Sequence, residues 1–484
     1  MSLRLIGCLA AAATICAAWS AGQAVAGRAG ARWAAVITTA VVSAPTIGSP
    51  QVSGELLAMP FVLGAVALAL HAVGERTVAP LRLAAAAGTL AACGPLLKQN
   101  LFDGLLAIGS VLLVAALVRH APRRRLLGIA VVALVSAVAT TVLVLGWSTW
   151  RGTSVPELWQ VVVLFRADAT SVISAEATAA TRSRFLVLAL IFAIGGPLAL
   201  TLLALRTARR TPSPGAVTAV VLLAWAVVSI VAGGSYWAHY LVQLAPGLGL
   251  AVAAALASDR RGRRMARVVT TCTATVAMVS AVLGLGVDRI PSTDREVAGE
   301  YLAAMTRPGD TAVVAWGHPS ILQEAGVQSP YEQLWSLPVR VHDPELTDFV
   351  QVLEGPEAPD WVVTRGGTVD SWGIDAPVRT RSSRSATTSS PTSADTGSGR
   401  CPGPRTGCRR RRWRTGSAPR SALRPTAPEH PHPVPRNSRR AAAQASVASR
   451  WASCEAPGRS TRVTSCPAAT NRAFSGSVNM PSSA

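Results

Sequence analysis

The sequence predicts an α-helical polytopic membrane protein of about ten transmembrane helices, with a small extracytoplasmic α/β domain and a disordered tail. Three observations predict it. Half of the 484 residues are hydrophobic and only 15% are charged, where a water-soluble chain carries about 25%. Apolar runs long enough to cross roughly 30 Å of hydrocarbon recur through the first 287 residues. Basic residues gather in alternate loops between those runs.

The runs fall at 5–26, 33–48, 56–73, 81–97, 101–118, 126–147, 185–205, 216–233, 238–257 and 268–287. Alternate loops hold Arg28, Arg32, Arg76, Arg82, Arg119, Arg123 to Arg125, Arg206, Arg209, Arg210, Arg260, Arg261, Arg263, Arg264 and Arg267, sixteen in all. The opposite loops hold six: Arg4, Lys98, Arg151, Arg166, Arg182 and Arg184. Positively charged short loops stay in the cytoplasm, so residues 1 and 288 are expected outside. Met1 then opens almost directly on a helix with nothing to carry it across, and a further helix is expected before it. In the long outer loop from Ser148 to Arg184, the apolar stretch from Val155 to Phe165 is too short to span and is expected in the interface plane.

From Asp288 the pattern becomes that of an α/β unit. Ser292-Thr293-Asp294 offers N-cap chemistry for a helix through Met305, and Pro308-Gly309-Asp310 turns the chain into a strand from Thr311 to Trp316. Further helices are expected from Pro319 to Ala325 and Pro344 to Leu353, and a strand at Asp360 to Thr364. After Thr380 hydrophobic periodicity gives way to Arg, Ser, Pro, Thr and Ala. The expected divisions are therefore 1–287, 288–380 and 381–484, the last a disordered basic tail whose abrupt onset suggests a reading-frame change near residue 379.

The net charge of +21 belongs mostly to that tail, which has 18 of the 46 basic residues against three acids, Asp395, Glu429 and Glu455. Because the tail follows an outside domain, nucleic acid is not an expected partner. The eight cysteines form no CxxC and no His/Cys spacing of the zinc type, so neither metal site nor disulfide framework is expected, and no cofactor is indicated. Neither a Gly-rich phosphate loop nor a nucleophile elbow is present.

Chemistry is then sought among polar residues at the outer helix ends, because ionisable groups at membrane depth are costly. Glu55 stands at the start of the third run, where a carboxylate either orients a sugar or acceptor hydroxyl or merely complements the helix dipole. Lys98 is the one lysine among 45 arginines; with Gln99 and Asn100 it forms an outer turn, Asp103 following one turn later. It reads either as a compact phosphate-binding charge or as an interfacial snorkelling residue. In Gly233 to Tyr240, the rings of Tyr236, Trp237, His239 and Tyr240 suit sugar stacking or phosphate donation, and equally an interfacial aromatic belt. Arg166 and Asp168 lie in the long loop. His318, in the outer domain, is read as a helix cap or turn residue.

Several segments together resemble the dolichyl-phosphate-mannose protein mannosyltransferase-like family of C-type membrane glycosyltransferases. They are Arg4 to Leu70, with Gly27 to Arg32, Ala44-Pro45 and Gly54-Glu55-Leu56; Leu96-Leu97-Lys98-Gln99; Tyr236 to Tyr240 followed by Gln243-Leu244-Ala245-Pro246; and Gly309 to Pro319. The resemblance covers residues 1 to about 378. It implies transfer of a sugar, with inversion, from a polyprenyl-phosphate-linked donor to a protein, lipid or glycan acceptor on the extracytoplasmic face of a cell membrane. The family's principal catalytic aspartate lies in its first outer loop, which would precede Met1. No residue here inherits that role, and the chain as written is expected to turn over little. Lys98 meets the need for a cation on the phosphate, Gln99, Arg166, Tyr236, His239 and Tyr240 join it as substrate-binding residues, and Glu55 is the catalytic carboxylate that remains. The alternative reading is a polytopic transporter or lipid flippase. The lack of an internal repeat and the appended α/β domain favour the transferase.

Overall fold

The computed structural model describes residues 2–47, 51–75, 77–175, 179–284, 292–365, 374 and 461–465. The chain divides into two compact units, a helical one of residues 1–291 that also takes in 340–342, and an α/β one of residues 292–339 and 343–484.

The helical unit opens with α1, Ser2–Ser43. It is not one rod. Ala26 and Gly27 leave helical geometry, Gly27 at φ 59°, ψ −151°, a conformation open to a residue without Cβ. A methyl group placed on Gly22 would stand 2.5 Å from the Gly30 carbonyl oxygen. Residues eight apart in a straight helix lie about 12 Å apart, so the chain doubles back, and the expected first and second spans are the two arms of a hairpin. After it come α2 (Gly54–Val73), α3 (Pro80–Leu97), α4 (Asp103–Leu117) and α5 (Arg123–Trp150). Then follow α6 (Val155–Trp159), a π-helical turn (Gln160–Leu164), α7 (Phe165–Ala175), α8 (Ala179–Ile194) and α9 (Pro197–Arg210). The unit ends with α10 (Pro214–Gly233), a 3-10 turn (Ala238–Leu244), α11 (Ala245–Ala257) and α12 (Arg260–Val282).

Among the described residues seven helices are long and apolar enough to cross a membrane, α1 counted once, or eight if α8 and α9 count as one bent span. Three differences separate this from the ten expected runs. The first two runs both lie in α1, one in each arm of its hairpin, and α1 is counted once. The seventh is broken by 55° between Ile194 and Pro197, where Pro197 contributes no N–H and Gly196 sits at φ 105°. The fifth, α4, has only 15 residues. The protein is a multi-pass helical membrane protein, and its burial pattern fits. Leu134 and Leu143 on α5 are 64% and 73% exposed, while Ala251, Val252 and Ala253 on α11 are fully enclosed. Apolar side chains on the outside carry no penalty against lipid. Small residues bring helices together in the interior: a methyl on Gly88 of α3 would lie 2.0 Å from the Ala133 carbonyl of α5.

Contacts sort the loops into two ends. Val52 packs on Gly7, Lys98 on Glu55, Gln99 on Val162 and Arg166 on Gly233 at one end. At the other, Arg125 donates to the carbonyls of Ala72 and Gly74, Arg206 pairs with Asp259 at 2.7 Å, and Val25 packs on Gly215. The arginine alternation sorts these loops in the same way. Between α5 and α8 the chain is helical rather than extended. A capping box of Ser154 and Glu157 starts α6, the Ser154 amide and hydroxyl hold the Glu157 carboxyl below its ordinary range, and Trp159, Val161 and Leu164 remain exposed.

The α/β unit contains α13 (Ser292–Met305), β1 (Ala312–Ala315), α14 (Ser320–Ala325), α15 (Ser336–His342), α16 (Thr347–Glu354), β2 (Trp361–Arg365) and β3 (Thr461–Ser465). Strand β1 pairs with β2 in parallel, Val313 opposite Val362. Ala298, Leu302, Ile321 and Leu322 cover one face of β1 and β2, while Trp316, Tyr331, Val339 and Phe349 form a second cluster. Burial and the Asp343 carboxylate push the Tyr331 phenol well above its ordinary range. Helix α15 was not anticipated, its seven residues being too few for a periodic signal. Strand β3 lies within the segment read as a disordered tail. Its Thr-Arg-Val-Thr-Ser sequence suits an extended edge, and it pairs antiparallel with β2, Val463 opposite Val363.

Candidate functional site

The first turn of α2 places one carboxylate in the interior. Ser53 caps the helix, its hydroxyl accepting the Leu56 amide at 3.3 Å, and Glu55 follows with 2% of its side chain exposed. A carboxylate so enclosed costs several kcal/mol unless a cation and hydrogen bonds offset it. Lys98 supplies both. It ends α3, its amide bonded to the Gly94 carbonyl at 3.0 Å, and its ammonium reaches back to pair with Glu55 Oε1.

The 3-10 turn completes the cluster. His239 Nε2 stands 3.9 Å from Glu55 Oε2, and Lys98 Nζ lies 4.4 Å from the centre of the Tyr240 ring. The four side chains present a carboxylate, an ammonium, an imidazole and a phenol within one small volume. Lys98 remains 29% exposed, whereas Glu55 is enclosed.

Four of the seven residues named from sequence, Glu55, Lys98, His239 and Tyr240, therefore meet. The other three lie around them with backbone partners. Gln99 donates to the Val162 carbonyl at 3.1 Å, in the π-helical turn. Arg166 donates to the Gly233 carbonyl at 3.2 Å. Tyr236, at φ 54°, donates to the Val231 carbonyl at 3.4 Å and packs edge-on against Phe185. Asp168 is exposed on α7. His318 belongs to the α/β unit, where its carbonyl accepts the Ile321 amide at 3.0 Å and starts α14.

Two features went unrecognised in the sequence. Arg184, counted only as a loop charge, lies with its guanidinium 4.3 Å from the centre of the Trp237 ring. Lys98, Arg166 and Arg184 thus ring the turn from Gly233 to Tyr240. Asp103, noted without a role, is fully buried and accepts the Gln243 side-chain amide at 2.9 Å. Pairing between residues 140 apart leaves no local mark in sequence. Among the described residues no three His, Cys, Asp or Glu side chains gather closely enough to hold a metal ion.

No family model matches this sequence, and no curated protein matches it. The chain is similar to several solved structures. One is ArnT from Cupriavidus metallidurans bound to undecaprenyl phosphate, at a TM-score of 0.50 and 17% identity, over 80% of this chain and 81% of that one. Another is the oligosaccharyltransferase AglB from Archaeoglobus fulgidus, in complex with an inhibitory peptide and a dolichol-phosphate. It aligns at a TM-score of 0.45 and 12% identity, over 75% of this chain and 58% of that one. The chain shares the membrane fold of ArnT, a protein seen holding a polyprenyl phosphate.

Proposed function

We propose that this protein is a membrane glycosyltransferase that moves a hexose from a polyprenyl-phosphate donor to a protein, lipid or glycan acceptor on the extracytoplasmic face. One observation carries the reading: the sole lysine stands partly open at a helix end, between a buried carboxylate and an aromatic ring, in a fold that in ArnT accompanies undecaprenyl phosphate. The excess of arginines at the opposite end of the helical unit supports placing this end outside.

In the proposed reaction the acceptor hydroxyl attacks the anomeric carbon from the face opposite the phosphate. The bond between that carbon and the phosphate oxygen breaks, and the polyprenyl phosphate leaves with the electron pair. Lys98 neutralises the charge that develops on the leaving phosphate, with Arg166 and Arg184 contributing at longer range. The acceptor hydroxyl's proton passes to the His239 imidazole, 21% exposed, and the enclosed Glu55 carboxylate 3.9 Å away stabilises the imidazolium that forms. Tyr236, Trp237 and Tyr240 offer ring faces to the sugar.

Binding of undecaprenyl phosphate to the full chain in lipid nanodiscs tests the assignment. Lys98→Ala should weaken it roughly thirtyfold, as expected for a lost charge-assisted phosphate contact of about 2 kcal/mol, and Lys98→Arg should recover part of that. Unchanged binding by Lys98→Ala would remove Lys98 from the donor site.

A further inference from the structure

We propose that Asp103 is a positioning residue of the phosphate site. Its buried carboxylate, held by the Gln243 amide, fixes the separation between the turn carrying Lys98 and the turn carrying His239 and Tyr240. The inference rests on the assignment of Lys98 to the donor phosphate.

Asp103 begins α4, five residues after Lys98, and is fully enclosed. Around it are small apolar side chains: a Cβ on the adjacent Gly104 would lie within 3.5 Å of Ala91 and Ala65. A carboxylate in such surroundings is costly, and the first turn of a helix offsets only part of that cost. Its Oδ2 accepts from Gln243 Nε2 at 2.9 Å, and its Oδ1 has no hydrogen-bond partner among the described residues. If only helix capping mattered, a small hydroxyl residue would serve without burying an unsatisfied oxygen.

Gln243 explains the choice. It is 2% exposed and lies on the 3-10 turn, three residues after Tyr240 and four after His239. The Lys98 turn is tied to α10 by Asn100, whose amide donates to Ser229 Oγ at 2.6 Å and whose carbonyl accepts Trp225 Nε1 at 3.2 Å. These bonds hold Lys98 against one neighbour. The Asp103–Gln243 bond holds it against the element that presents Tyr240 and His239. Attraction between a cation and a ring fades beyond about 6 Å, so a slip of one or two ångströms between the two turns would open the Lys98–Tyr240 contact, now 4.4 Å, and the His239–Glu55 approach, now 3.9 Å.

The test is equilibrium binding of undecaprenyl phosphate to the full chain in nanodiscs, with Asp103 and Lys98 varied singly and together. Asp103→Ala and Gln243→Ala should each weaken binding roughly tenfold, and Asp103→Asn should bind nearly as the parent because its amide oxygen still accepts from Gln243. In a Lys98→Ala background the Asp103→Ala effect should disappear, since the contact it positions has already gone. An equal loss with and without Lys98 would mark a packing role and overturn the proposal. So would normal binding by a folded Asp103→Ala or Gln243→Ala while Lys98→Ala binds weakly, which would leave the donor-site reading intact. Normal binding by Lys98→Ala would overturn both readings. If Asp103→Ala does not fold, Gln243→Ala and its combination with Lys98→Ala decide the question.

Discussion

Lys98 and Glu55, 43 residues apart in sequence, close an ion pair whose two members differ in surroundings, the carboxylate 2% exposed and the ammonium 29%. The asymmetry matters. A phosphate can approach the open side of the ammonium without first removing the carboxylate, while the carboxylate has no route back to solvent if its partner is lost.

Stability should follow that asymmetry. Lys98→Met leaves the Glu55 carboxylate buried with the His239 imidazole 3.9 Å away, and should lower the stability of the helical unit by about 3 kcal/mol. Glu55→Gln combined with Lys98→Met removes both charges and should recover most of the loss. Thermal unfolding in detergent measures this; equal stability of the single and double variants would show that Glu55 gains little from the pair.

Cysteine labelling in a cysteine-free background tests the orientation. Single cysteines at Gln160 and Asp310 should react with an impermeant reagent from outside, and one at Pro122 only after permeabilisation. Reaction of positions 160 and 310 from opposite sides would contradict the arrangement of spans between them.

Gly196 should resist substitution. Its φ of 105° disfavours any residue with Cβ, and a methyl there would fall 1.9 Å from Thr273 Oγ1 of α12. Gly196→Ala should cost about 2 kcal/mol or more, and Thr273→Ala should restore only the part due to the clash. Full rescue by Thr273→Ala would show that the backbone there is not strained by a side chain.

These examples also show what a sequence reveals. Hydropathy marks a span by length and composition, so α2, α3, α5, α10 and α12 were legible, and Gly27 and Gly195-Gly196-Pro197 carry the residues that breaks require. Lys98 was legible because it is unique, and Tyr240 and His239 because polar rings are conspicuous beside an apolar run. That Glu55 turns inward toward Lys98 was not legible: the same residue at a helix start serves equally well in water, and only the packing of α2 against α3 decides. Asp103 with Gln243, and Arg184 with Trp237, are long-range pairs, and local patterning contains no trace of them.

In the α/β unit, the Tyr331 phenol donates to Asp343 at 2.9 Å, and burial together with that carboxylate raises its pKa. The folded state therefore holds the proton where the unfolded chain releases it. The associated stability is fully present below the ordinary tyrosine pKa of about 10 and declines as the pH rises above it. Tyr331→Phe should flatten that decline. The phenolate absorbance of the parent minus that of Tyr331→Phe should stay near zero at pH 10–11 until denaturant is added; a full phenolate signal in the folded protein would contradict the burial of this hydroxyl.

Truncation after Thr380 should separate the two units in their response. The removed segment has few apolar residues, and its described contact with the rest is β3 on the edge of β2. The helical unit should keep its thermal stability and its binding of undecaprenyl phosphate, because it is a compact unit of its own. The α/β unit should lose protection selectively. Two short parallel strands are marginal without further cover, and without β3 the β2 strand loses one of its two described neighbours and keeps β1, with Val363 packed beneath Ile321 and Leu322. Hydrogen exchange at Trp361–Arg365 should then accelerate by roughly tenfold or more, the opening of a strand that has lost one neighbour, while exchange in α13 changes less. Unaltered exchange across β2 would mean that β3 adds nothing to the sheet, and a loss of stability in the helical unit would mean that the segment supports the membrane part directly.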